Sequence, residues 1–169
     1  MPALLCFGFG YCAQHYVAEH AARFKRVAGT TRTAENADKL AARRFGGRAV
    51  EMLVFDGESA SPELLAVVEE TDALIVSAAP TKKGDPVLAV LDDALAGATR
   101  LRSIVLLSTL SVYGDHGGDW VDETTTPRPA LPRGDGRLEA ERAWQAFGAK
   151  RGVHVAVLRL AGIYGPGQN

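Results

Sequence analysis

Near the start of the chain, the run Gly8-Phe9-Gly10-Tyr11-Cys12-Ala13 forms a G-x-G-x-x-A pattern whose chemistry is that of the backbone. Gly8 permits a tight turn, and Gly10 lets the main chain approach an anion with no Cβ in the way. Ala13 is small enough for a helix to pack closely on a strand. Main-chain N–H groups from Phe9, Gly10 and Tyr11 onward, opening a helix, suit a pyrophosphate. Alone, the pattern also describes a plain tight turn. Its position argues for a dinucleotide site: an apolar run precedes it, a helical pattern follows, and a second strand ends about twenty residues later.

That second strand end discriminates between cofactors. It reads Gly29-Thr30-Thr31-Arg32, with no Asp or Glu to meet a ribose 2′-hydroxyl. Arg32 offers a planar, bidentate phosphate partner beside the hydroxyl of Thr31, so NADP is the preferred ligand and NAD the alternative. Asp56, followed by Gly57, is placed to meet an adenine amino group or to make a turn. Ala78 and Ala79, after a further apolar run, are small enough to lie along the cofactor or simply to mark a strand end.

The elements that must position these residues are legible as an alternation. Apolar runs at Ala3–Phe7, Arg26–Gly29, Val50–Phe55, Ala73–Ala78, Ser103–Leu107 and Val153–Leu158 are each nearly continuous, as strands covered on both faces should be. Helical patterns fill the gaps at Tyr11–Phe24, Ala34–Phe45, Leu64–Glu70, Val87–Ala98 and about Gly136–Lys150, with Ser61-Pro62 and Asp85-Pro86 as start signals. This is the pattern of a Rossmann-like, doubly wound parallel α/β sheet with helices on both faces. One connection breaks the rhythm: roughly twenty residues between Tyr113 and Arg133, rich in Gly, Asp, Thr and Pro, leave the fifth strand where ligands bind in open sheets.

Charge and composition narrow the partners. Nineteen Lys+Arg stand against 20 Asp+Glu, a net charge of -1, which lacks the basic footprint of a nucleic-acid or anionic-membrane partner. The N-terminus has no basic segment and its apolar run is broken at Gly8 and Gly10, so the chain reads as cytoplasmic. Cys6 and Cys12 cannot form a four-ligand zinc site and read as packing. The cluster Asp115-His116-Gly117-Gly118-Asp119 reads as turns, and no metal is expected. Trp120 lines a pocket or covers the core beneath the long loop, the second being preferred.

Taken with Leu107-Ser108-Thr109-Leu110-Ser111-Val112-Tyr113-Gly114 and the closing Arg159-Leu160-Ala161-Gly162-Ile163-Tyr164-Gly165-Pro166-Gly167, these pieces resemble the short-chain dehydrogenase/reductase superfamily. The likeness is to its extended and atypical NAD(P)-dependent epimerase/dehydratase branch. It implies an NAD(P)-dependent oxidoreductase or epimerase acting on a carbonyl compound or nucleotide sugar, and it is consistent with a homodimer. It also implies a dinucleotide-binding domain over residues 1–169, with the C-terminal substrate-binding portion absent or truncated. By the same likeness Thr109 polarises a substrate oxygen.

The departures from that pattern are as informative. The family's catalytic pair is Tyr-x-x-x-Lys. Aligned on Glu141, Arg133 takes the tyrosine position and Arg137 the lysine position. Arginine keeps its proton, so neither replaces the proton relay, though Arg137 can still hold a ribose or phosphate. Proton transfer then falls to Tyr113, Asp115, His116 or Tyr164, of which His116 is the chemically best substitute, because an unperturbed imidazole exchanges its proton near neutral pH. The alternative is a sensor that keeps the dinucleotide and performs no chemistry. A flavin or methyl-donor ligand fits the glycine turn but not the later strand ends.

Overall fold

Branched and aliphatic residues favour a pleated backbone, and the intervening helices bury both sides of it. In a computed structural model describing residues 1–168, the strands are β1 (Ala3–Phe7), β2 (Arg26–Thr31), β3 (Glu51–Val54), β4 (Ala73–Val76), β5 (Ser103–Thr109) and β6 (His154–Leu160). Between them run α1 (Tyr11–His20), α2 (Ala34–Ala41), α3 (Pro62–Glu69), α4 (Pro86–Gly97) and α5 (Pro132–Arg151), with single 3₁₀ turns after α1 and β5. All strands pair in parallel in the order β3-β2-β1-β4-β5-β6, the Rossmann-like arrangement the sequence implies. The order reverses between β1 and β4, which opens a crevice at their carboxyl ends.

The pleat divides the core. Leu5 and Phe7 of β1 face one side, packed with Leu64 and Val68 of α3, Leu91 and Leu95 of α4, and Trp144 of α5. Leu4 and Cys6 face the other, packed with Ala13 and Val17 of α1 and Leu40 of α2. Burial pushes the Cys6 thiol up to about 12, so it behaves as packing. This second face is not covered throughout. Val105, Leu107, Leu158 and Leu160 border a hollow of about 790 Å³ beside Tyr16 and Phe24, and Leu158 is 45% exposed. Coverage of both faces, expected for every strand, therefore fails along β5 and β6, because α1 and α2 lie over the opposite part of the sheet.

Both expected helix starts hold: Ser61 Oγ accepts from the N–H of Leu64 at 3.3 Å, and Asp85 Oδ1 accepts from Val87 and Leu88 at 2.9 and 3.0 Å. The last helix begins at Pro132 rather than near Gly136. The added first turn depends on Gly134. A Cβ there would lie 2.8 Å from Pro129 Cβ and 2.9 Å from the Ser111 carbonyl oxygen, so only glycine lets the first turn rest on the long loop. Arg133 and Arg137 consequently both project from α5.

Candidate functional site

The glycine turn is held from three sides. Gly8 has φ +85°, and a Cβ on it would lie 2.7 Å from Ser77 Oγ. Its N–H donates to Thr30 Oγ1 at 3.0 Å, the Phe9 N–H donates to the Thr30 carbonyl at 2.8 Å, and Ser77 Oγ donates to the Gly8 carbonyl at 2.7 Å. The ends of β1, β2 and β4 are thereby tied together. Phe9 contributes only backbone here: its ring is buried, edge-on to Phe45 at 5.1 Å and filling the space a Gly29 side chain would need. Gly10 differs, since a Cβ on it would meet nothing within 4 Å. It opens α1 with no side-chain cap, leaving the N–H groups of Tyr11, Cys12 and Ala13 directed out of the helix start.

Two cavities flank this turn. One, of about 320 Å³, is lined by Gly8, Thr31, Arg32, Asp56, Ala78 and Ala79, among others, and so gathers the residues expected at an adenosine end. Thr31 Oγ1 accepts from Asn36 Nδ2 at 2.8 Å, while Arg32 stands exposed at the rim. Asp56 Oδ1 accepts from the N–H groups of Glu58 and Ser59, and these bonds hold its carboxyl below the usual carboxylate range. Asp56 is thus both a turn residue and a wall of the cavity.

The other cavity, of about 520 Å³, contains Gly10, Tyr11, Ser77, Ala79, Ser108, Thr109, Arg133 and Arg137 in its lining. Thr109 ends β5, accepts from the Ser111 N–H at 3.2 Å, and retains its own hydroxyl hydrogen for the cavity. Arg137 Nη1 donates to the Ala78 carbonyl at 3.2 Å, bridging α5 to the end of β4.

Tyr113 and His116 lie elsewhere. Tyr113 is buried, its hydroxyl donating to the Asp122 carbonyl at 2.6 Å, and His116 Nε2 is 3.1 Å from the Tyr113 carbonyl oxygen. Of the three expected catalytic side chains only Thr109 lines the cavity; the other two brace the long loop. Asp115 and Asp122 make turns within it, accepting from Gly117 and Thr124 respectively. Trp120, expected to cover the core, is 100% exposed. The turn through Gly117 and Gly118 carries it outward.

Behind Thr109 sits a polar network that sequence spacing does not announce. Glu141 of α5 is 1% exposed and accepts from Arg159 of β6 at 2.8 and 3.2 Å, and from the Ser108 hydroxyl. Donating to the Glu141 carboxylate raises the Arg159 pKa above its ordinary value, and its guanidinium lies 4.7 Å from the Tyr113 ring centre. Glu141 lies on α5 and Arg159 on β6, and their contact follows from the pairing of β6 with β5, which sets Arg159 beside Ser108.

Residues 8–169 match the NAD dependent epimerase/dehydratase family. Protein YeeZ of Escherichia coli strain K12 is 29% identical over 182 aligned positions, spanning 100% of this chain and 61% of YeeZ. A functionally unknown conserved protein from Silicibacter pomeroyi DSS superposes with a TM-score of 0.84 at 40% identity, covering 99% of this chain and 55% of that one. MoeE5, solved in complex with UDP-glucuronic acid and NAD, superposes at 0.74 and 26% identity, covering 99% and 57% of the two chains. This chain thus spans between half and two thirds of the length of these relatives.

Proposed function

The chain belongs to the NAD dependent epimerase/dehydratase family, and from that premise we propose that residues 1–169 are an NADP-preferring dinucleotide domain whose substrate is a nucleotide sugar or another carbonyl compound. The crevice fits such a ligand because a cavity lies on either side of the turn and a Cβ on Gly10 would meet nothing within 4 Å. Main chain of Gly8, Phe9, Gly10 and Tyr11 would hold the pyrophosphate. Thr31, Arg32 and Asp56 would hold the adenosine half, with Ala78 and Ala79 beside it and Arg137 reaching the far ribose. When bound, the cofactor supplies hydride transfer. Thr109 would donate to the substrate oxygen beside it.

The observation that carries the cofactor preference is Arg32 beside Thr31 on the first cavity, at a strand end with no carboxylate. A bidentate phosphate contact contributes about 1.5–3 kcal/mol, or roughly 10- to 150-fold in affinity. Nicotinamide fluorescence titrations should show NADPH binding tighter than NADH, with Arg32→Ala removing the difference. Equal affinities that the variant leaves unchanged would refute the preference.

A second reading, a sensor that binds the dinucleotide without turnover, draws on Arg133 and Arg137 in the second cavity, since neither accepts a proton. NADPH oxidation with aldehydes, ketones and nucleotide sugars separates the two readings. Turnover excludes the sensor.

A further inference from the structure

We propose that Arg133 and Arg137 clamp an oxyanion carried by the substrate, a carboxylate or a phosphate, where α5 meets the end of β5. The proposal takes its place in the crevice from the cofactor reading above, but its chemistry is independent of that reading. The two residues are four apart on α5 and therefore share a helix face. Both line the cavity holding Thr109, Ser108 and Tyr11, and both line a neighbouring hollow holding Lys82. Asp135 and Glu139 border only that neighbouring hollow, so the inner cavity has cationic side chains on its α5 wall.

The pair is electrostatically incomplete. Burial pushes the Arg137 guanidinium down from its ordinary value, Asp85 raises it, Arg133 lowers it and Glu141 raises it. Neither arginine forms an ion pair among the described residues. Glu141 is occupied by Arg159 and Ser108; Asp85 Oδ1 caps α4 while its Oδ2 makes no hydrogen bond, so Asp85 acts on Arg137 through charge without an ion pair. Arg133 adds a like charge at Arg137 and neither guanidinium is ion-paired with a carboxylate, so an anion shared between them would give both a direct partner. Arg137 gives one hydrogen bond to Ala78, leaving donors free for both a ribose and an oxyanion. The planar forks and the Thr109 hydroxyl suit the oxygens of a carboxylate or phosphate. Where the family's tyrosine and lysine move a proton, these arginines would recognise a charge.

The test uses D-glucuronate, D-glucose 6-phosphate and neutral D-glucose, titrated by ligand-detected NMR with and without NADP. One of the anionic sugars is expected to bind at least about tenfold more tightly than glucose; which one identifies the oxyanion. Arg133→Gln and Arg137→Gln should each remove about that factor, while Arg151→Gln, at the far end of the same helix, preserves it. No preference in the wild-type chain overturns the proposal, as does a preference that survives the folded double variant. Should a variant fail to fold by circular dichroism, the wild-type comparison still decides. An anion preference without NADPH binding supports the clamp and refutes the cofactor reading; NADPH binding with no preference does the reverse.

Discussion

Removing Arg159 while keeping Glu141 tests whether the network behind Thr109 holds the site together. In Arg159→Met, a carboxylate that is 2% exposed keeps only the Ser108 hydroxyl of its present side-chain partners. Breaking a buried pair from one side costs about 3–5 kcal/mol, because an uncompensated charge stays behind. For a domain of this size each kcal/mol shifts Tm by about 2–4 °C, so the variant should melt about 10 °C lower. Replacing both residues removes the stranded charge. The double variant Glu141→Met/Arg159→Met should therefore lie within about 2 kcal/mol of the wild type despite losing more polar contacts. Urea unfolding followed by the fluorescence of buried Trp144 measures all three. Since the network ties α5 to β5 and β6, NADPH affinity should follow stability, weak in the single variant and recovering in the double. A single variant losing less than about 1 kcal/mol, or a double variant no more stable than the single, would refute the reasoning.

Gly10→Val should leave stability within about 1 kcal/mol, because the new side chain enters open space, yet weaken NADPH binding at least about tenfold by occupying the pyrophosphate's approach; undiminished affinity in a folded variant contradicts this. Asp72 supplies a pH prediction. Burial raises its carboxyl, but the Ala3 N–H at 2.7 Å and Arg100 at 3.1 Å outweigh that, and the net shift is downward. Its folded value lies below the unfolded value of about 3.9, so its contribution is complete above that pH and lost as pH falls through the folded value. The stability advantage of wild type over Asp72→Asn, measured by urea titration, should shrink from about pH 5 toward about pH 2. A constant advantage across that range would exclude this linkage.

Local rules carried far in this chain where geometry is local. Gly8 needs a positive φ, Ser61 and Asp85 cap helices with their own side chains, and strand runs read as strands because β-branched and aliphatic residues cluster in them. Reading failed where a distant contact overrides a local preference. The last helix, expected from about Gly136, starts at Pro132, because Gly134 has no side chain to strike Pro129 and the Ser111 carbonyl. Tyr113 and His116 follow β5 closely, yet the long loop folds back on them and takes their polar atoms. The cavity residues sit on separate elements, and the spacing of Glu141 and Arg159 carries no sign of their pairing. Only the parallel register of β5 with β6, which sets Ser108 beside Arg159, brings that network together.

The bare stretch of sheet along β5 and β6 has a calorimetric consequence. Heat-capacity change on unfolding reports apolar surface newly exposed to water, about 12–15 cal/mol/K per residue in globular domains on average. With Leu158 already 45% exposed and its neighbours half-buried, part of that hydration is present before unfolding begins. A chain of 169 residues would ordinarily show about 2.0–2.5 kcal/mol/K; this one should fall below that range. Its stability curve is correspondingly flatter, spreading its free energy more evenly over temperature and moving cold denaturation further from the working range. An apolar solute seated on β5 and β6 would restore the missing curvature.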